Sequence, residues 1–251
     1  MIKENLLEIF NKKEYEKVID EISRILEREE PDVETLNMLG LSYYYLNDLE
    51  NAEKYFVKAL KINPKQTEIY INLADVYYKQ KLYAEALDLL QLGVNEAENS
   101  AILRHYLARI YMDDSQPDLA IDELDAVLEK EPENYDAYYD LGRAYFELGN
   151  YESAIESFEN VLEYKDDNVW VYYYLGEAYE ANDEIDKALS AFLKATAVNN
   201  KFALAYKKAA ILFMARGEKD DAIEYFEDYL EFDLPEEEQK QVNSLIERLK
   251  G

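Results

Sequence analysis

The chain contains no cysteine, which excludes disulfides, thiolate nucleophiles and cysteine-ligated zinc. His105 is the only histidine, so neither a His-rich metal site nor a triad of the usual kind has its parts. Glycine and proline are also scarce, 7 and 5 among 251 residues. A β-sandwich or barrel needs a turn every ~8–12 residues, usually built with Gly, Pro or Asn. So few of these residues favour long helices with short connections. Nor do the glycines spell GxGxxG or a Walker-type loop, so no phosphate cradle is present.

Long apolar runs are missing as well. The longest, Ala209 to Ala215, is far short of the ~20 residues of a membrane span. Basic residues are outnumbered, with 27 Lys and Arg against 55 Asp and Glu and a net charge of −28. That field repels a phosphate backbone and an anionic bilayer, so neither nucleic acid nor a membrane is expected as a partner. The segment Met1-Ile2-Lys3-Glu4-Asn5 lacks an apolar signal region followed by a small-residue cleavage site. A soluble, cytoplasmic protein is the expectation.

What is present is a beat. Ala52, Ala86, Ala120, Ala154, Ala188 and Ala222 recur at a spacing of 34 residues. Nine residues before each stands an aromatic: Tyr43, Tyr77, Tyr111, Tyr145, Tyr179 and Phe213. Four residues earlier come Leu39, Leu73, Leu107, Leu141, Leu175 and Ala209, each followed by Gly or Ala. Within one unit, Leu36, Leu39, Gly40 and Tyr43 share a helical face. Asn47-Asp48 breaks it, Ala52, Phe56 and Ala59 mark a second stripe, and Pro64 ends that helix. Such a hairpin cannot bury both apolar faces alone, so neighbouring units must stack.

The pattern Leu36…Leu39-Gly40…Tyr43…Ala52…Phe56…Ala59…Pro64 resembles the tetratricopeptide repeat family, and the resemblance covers nearly the whole chain. It implies an all-α, right-handed superhelical solenoid of antiparallel hairpins. About seven hairpins and a C-terminal capping helix are expected, arranged as a single domain over 1–251. Residues 1–32 hold a degenerate first repeat with Ile2, Leu6 and Ile9, then Val18, Ile22 and Ile25. Residues 33–234 hold six full units, and 235–251 form the cap, whose stripe is Val242, Leu245, Ile246 and Leu249. Gly93 and Val127 replace the small residue found at Ala59, departures expected to weaken single units.

The resemblance also implies a concave groove lined by the first helix of each hairpin and used for protein or peptide partners. Mapped onto this chain, the groove holds Tyr44, Tyr78, His105, Arg109, Tyr139, Arg143, Phe146, Trp170, Tyr173, Glu177 and Lys207. Aromatic side chains and arginine dominate binding hot spots because they bury large areas at low entropic cost. Arg109 and Arg143 fall in one column between Asp75 and Glu177, with an expected separation of about 10 Å set by helix diameter. They form either a ligand site or a self-neutralising Asp–Arg–Arg–Glu ladder, and the sequence leaves both open. His105 beside them reads as a hydrogen-bonded bystander. Asn72 alone fits the pattern by which some co-chaperones of the family grip a chaperone's terminal carboxylate, so that specificity is not expected.

No catalytic constellation, cofactor or metal site is legible. Asp113-Asp114 at a hairpin turn is the nearest to an ion site, and a solvated turn explains it. The expected function is therefore a non-enzymatic scaffold or adaptor that binds a peptide or helical segment of another protein. A monomer is expected in preference to a homo-oligomer. The alternatives are a homo-oligomeric assembly through end or convex surfaces, and the regulatory subunit of an enzyme.

Overall fold

The computed structural model describes residues 2–28, 30–98 and 100–251, apart from the side chains of residues 2–4. The side chain of Ile2, first in the expected N-terminal stripe, lies outside the described residues. Fifteen α-helices and no strand are found among the described residues. Two compact units emerge, Met1–Pro132 and Glu133–Gly251.

The first unit contains four hairpins. They are α1 (Ile2–Asn11) with α2 (Tyr15–Leu26), α3 (Val33–Tyr45) with α4 (Leu49–Ile62), α5 (Thr67–Lys79) with α6 (Tyr83–Glu96), and α7 (Ala101–Asp113) with α8 (Pro117–Lys130). The second contains three hairpins and a last helix. These are α9 (Tyr135–Glu147) with α10 (Tyr151–Tyr164), α11 (Val169–Ala181) with α12 (Ile185–Val198), α13 (Ala203–Arg216) with α14 (Lys219–Leu230), and α15 (Glu236–Lys250). Thus α1 and α2 fall within 1–32, six hairpins within 33–234, and α15 within 235–251. Pro64 and Pro132 each follow a helix end by two residues, where a ring without an N–H cannot continue the ladder.

The hairpin tips repeat as strictly as the core. Lys13, Asn47, Lys81, Ser115, Gly149, Asp183 and Gly217 stand 34 residues apart, and all have left-handed φ between 57° and 78°. At each tip two backbone N–H groups return to the preceding helix, as in Asn47 N to Tyr44 O (3.0 Å) and Asp48 N to Tyr43 O (2.9 Å). This closes orphan carbonyls at the helix end. Lys13 follows the same rule, so the degenerate first hairpin keeps the backbone of the others. Asp and Asn side chains then cap the helices that follow, among them Asp48 on Asn51 N (3.2 Å) and Asn134 on Ala137 N (3.0 Å).

The alanines of the 34-residue beat, Ala52 through Ala222, are fully buried where the two helices of each hairpin meet. Beside them the two helices interlock by size. A Cβ on Gly40 would come within 2.6 Å of the Phe56 ring, and a Cβ on Gly142 would come equally close to Phe158. In α5 and α6 the sizes are exchanged: Ala74 and Leu90 take those positions, while Tyr70 on α5 lies over Gly93 on α6, whose Cβ would meet the ring at 2.7 Å. Tyr70 is 2% exposed. Gly93, read from the sequence as a departure that weakens its unit, makes room for the Tyr70 ring. Gly93 is the complement of Tyr70, and volume is conserved across the pair.

Three pairs of first helices touch directly: α3 meets α5, α5 meets α7, and α9 meets α11.

Candidate functional site

Every candidate residue lies on the first helix of its hairpin, on α3, α5 and α7 in the first unit and on α9, α11 and α13 in the second. The regular spacing follows from the repeat. A residue at a given column returns to the same face 34 positions later, one hairpin further on.

In the first unit the face is a polar network between helices. The Lys79 ammonium sits 3.7 Å from the centre of the Tyr44 ring, a close cation–π contact. Asp75 is half-buried and bonded to the Tyr106 hydroxyl, with Arg109 and Lys79 nearby. Burial raises the Asp75 pKa, against the pull of Arg109, the Tyr106 hydrogen bond and Lys79. The Arg109 guanidinium is exposed and lies 5.4 Å from the Tyr106 ring centre. Tyr78 bonds Asp113 through its hydroxyl, which raises the phenol pKa. Asn72 Nδ2 donates to Asn37 Oδ1 (2.9 Å), and Asn37 Nδ2 donates to Glu68 Oε1 (3.1 Å), tying α3 to α5. His105 is half-buried on α7.

In the second unit the face is aromatic. Tyr174 stacks on Phe158 at 5.9 Å and meets Tyr139 edge-on at 6.0 Å. Phe146 lies 6.5 Å from the same ring. Trp170 stands at the edge, 44% exposed, with its ring 4.8 Å from Phe202 and 6.1 Å from Tyr173. Burial and the neighbouring Tyr174 push the Tyr139 phenol up to about 12. The rigid rings offer a large surface with little rotamer entropy left to lose.

Charges in this unit are closed locally. Arg143 lies 3.6 Å from Asp140. Glu177 pairs with Lys208, which also holds Glu180 at 3.0 Å. Burial works against the Lys208 ammonium, but hydrogen bonds to Glu177 and Glu180 hold its pKa above the ordinary value. Lys207 reaches Glu238 of α15 at 2.6 Å, and the Tyr229 hydroxyl donates to the same oxygen at 2.8 Å. Of the four residues in the expected ladder, Asp75 and Arg109 attract one another in the first unit, whereas Glu177 and Arg143 have partners of their own.

Tyr106, Tyr174, Lys208 and Lys79 were not among the candidates read from sequence, yet they organise the face. The signal was available in part. Tyr106, Tyr174 and Lys208 directly follow His105, Tyr173 and Lys207, so the column next to a chosen one turns partly inward and binds it to the neighbouring helix.

Profiles of the tetratricopeptide repeat match residues 44–110 and 149–211, and a second such profile matches 107–168. The chain belongs to the tetratricopeptide repeat family. The tetratricopeptide fold supports a protein–protein interaction scaffold. The C-terminal part of a TPR repeat-containing protein from Cytophaga hutchinsonii matches with a TM-score of 0.79. That match covers 93% of this chain and 95% of the other at 17% identity, a likeness of fold. The MamA protein is 26% identical over 67% of this chain and 96% of its own, with a TM-score of 0.62. Among curated sequences, DnaJ protein P58IPK homolog A of Oryza sativa subsp. japonica is 33% identical over 72 residues. That stretch is 28% of this chain and spans only 15% of the rice protein's length.

Among the described residues, no group of three or more acidic or histidine side chains is placed to hold a metal ion. No described helix is long and apolar enough to cross a membrane.

Proposed function

We propose that this tetratricopeptide protein is a non-enzymatic adaptor that binds a segment of a partner protein along the first-helix faces of its hairpins. The observation that carries this reading is Trp170. A tryptophan 44% exposed, braced edge-on by Phe202 and Tyr173, is a preformed anchor on a first helix. Arg143 and Tyr139 on the neighbouring α9 extend the same surface, and Arg109 with Tyr44 and Tyr78 supplies its counterpart in the first unit. An extended segment rises about 3.3 Å per residue, so crossing three repeats engages about nine residues. The working form is a cytoplasmic monomer.

The test is calorimetric titration of an affinity-purified partner against wild-type protein and Trp170→Ala. A hot spot of this kind loses about 2 kcal/mol or more on truncation. Unchanged affinity removes Trp170 from the site.

A further inference from the structure

We propose that the hollow between α10, α11 and α12 binds a free aromatic amino acid, with its ring against Tyr172, its carboxylate on Lys194 and its ammonium on Glu163. None of the residues lining this hollow is among those assigned to the partner surface, so the two readings stand or fall separately. The hollow has a volume of about 390 Å³, and its apolar lining is Leu162, Leu175, Ala191 and the rings of Tyr172 and Tyr179. That size suits a small molecule. Ala191 makes the room. One hairpin further on, the repeat columns of Tyr172 and Ala191 hold Tyr206 and Tyr225, whose rings stand 5.8 Å apart. Alanine at 191 withholds from Tyr172 the ring that Tyr225 gives Tyr206. Tyr172 is 8% exposed, and its hydroxyl makes no hydrogen bond among the described residues. A guest ring therefore finds an aromatic wall and a free hydroxyl where the next hairpin supplies its own ring.

Charge selects the occupant. The lining is balanced in total but divided in space, with Glu159 and Glu163 on α10 and Lys187 and Lys194 on α12. One end is closed by the protein itself. There the Tyr179 hydroxyl donates to Glu159 at 2.6 Å, Lys187 pairs with Glu184 at 2.5 Å, and the Lys187 ammonium lies 5.1 Å from the Tyr179 ring centre. Seven residues on, or about 10 Å along α12, the Lys194 ammonium lies 5.6 Å from the Tyr172 ring centre. Neither Lys194 nor Glu163 forms an ion pair among the described residues. A simple carboxylate would meet Glu163 as well as Lys194, and a simple amine would meet Lys194 as well as Glu163. A molecule that carries both charges beside an aromatic ring satisfies both helices and the apolar lining together.

The experiment titrates L-phenylalanine into the full chain by calorimetry. Three further probes each lack one feature: 3-phenylpropionate the ammonium, 2-phenylethylamine the carboxylate, and L-alanine the ring. Phenylalanine is expected to bind with a Kd of about 0.1–1 mM, in keeping with its dozen or so heavy atoms. Each of the other probes should bind at least about fivefold more weakly. Ala191→Tyr should abolish binding, because its ring takes the place that Tyr225 takes in the next hairpin. Lys194→Met and Glu163→Gln should each weaken phenylalanine by about fivefold or more. Circular dichroism checks folding, and the variants of Lys194 and Glu163, both exposed, carry the test if Ala191→Tyr does not fold. The proposal is overturned if phenylalanine gives no binding at millimolar concentration, or if any of the three probes binds as tightly. It is equally overturned if a folded Ala191→Tyr, Lys194→Met or Glu163→Gln keeps the affinity of the wild type.

Discussion

Gly176 on α11 lies against the Phe192 ring on α12, so close that a Cβ on the glycine would stand 2.6 Å from Cε1. Gly40 with Phe56 and Gly142 with Phe158 repeat the relationship, whereas Ala74 with Leu90 and Ala108 with Leu124 occupy the same repeat positions. Among the six full hairpins, only the last joins the larger partners, Ala210 and Phe226. Gly176→Ala should accordingly destabilise by roughly 1–3 kcal/mol through overpacking. Adding Phe192→Leu should restore much of the loss, because the pair then matches two hairpins of the same chain. Urea unfolding of the two single variants and the double variant measures the coupling. Additive losses would show that the two positions do not share one volume.

The hairpin tips hold five non-glycine residues in left-handed backbone, Ser115 at φ 57° among them. That conformation costs an L-residue with a Cβ roughly 1 kcal/mol relative to glycine. Ser115→Gly should raise stability by up to about 1 kcal/mol, and Gly149→Ala should lower it by a similar amount. The midpoint of urea unfolding should move in opposite directions for the two variants.

Much of this was legible in the residues themselves. Period, hairpin number and the terminal helix follow from the Ala52 and Tyr43 columns, because one buried face per helix leaves a fixed imprint on spacing. The exchange of Tyr70 for Gly93 was not legible, since it balances volumes across two helices and each position alone reads as a departure. The tips were half hidden for a related reason: five side chains tolerate a backbone that glycine would announce. Tyr44, Arg109 and Trp170 could be placed on their first helices from the period alone. Their partners Lys79, Tyr106 and Phe202 depend on how neighbouring helices are offset, which spacing does not reveal.

Tyr77, Tyr139 and Tyr229 have pKa values raised to about 12, burial being the first cause in each. A phenol in the unfolded chain ionises near 10, so between pH 10 and 12 the unfolded state loses protons that the folded state keeps. Their contribution to stability is complete below pH 10 and disappears as pH rises through 12. Absorbance at 295 nm should show a late-titrating group of tyrosines, and the thermal midpoint should fall across that window. A single titration centred on 10 with unchanged stability would contradict the burial of these rings.

Glu238 anchors α15 by accepting from Lys207 and Tyr229, and those bonds lower its pKa. A depressed carboxylate stabilises above its ordinary value of 4.5 and loses that contribution as pH falls through its folded pKa. Glu238→Ala should speed amide exchange in α15 while leaving α9 to α12 unaltered, and acidification should do the same to wild type. Uniform exchange across α9 to α15 in both cases would mean that α15 is held by Val242 and Ile246 alone.

Position-specific crosslinking bears most directly on the claim that the first-helix face receives a partner segment. A photoreactive residue placed at Trp170 is compared with one at Ser190, which lines a hollow of about 390 Å³ between α10, α11 and α12. Each is irradiated with purified partner, with and without Arg143→Ala. The expected result is an adduct at 170 that Arg143→Ala diminishes, and little at 190. Efficient capture at 190 with none at 170 would place binding on the opposite face and contradict the proposed function.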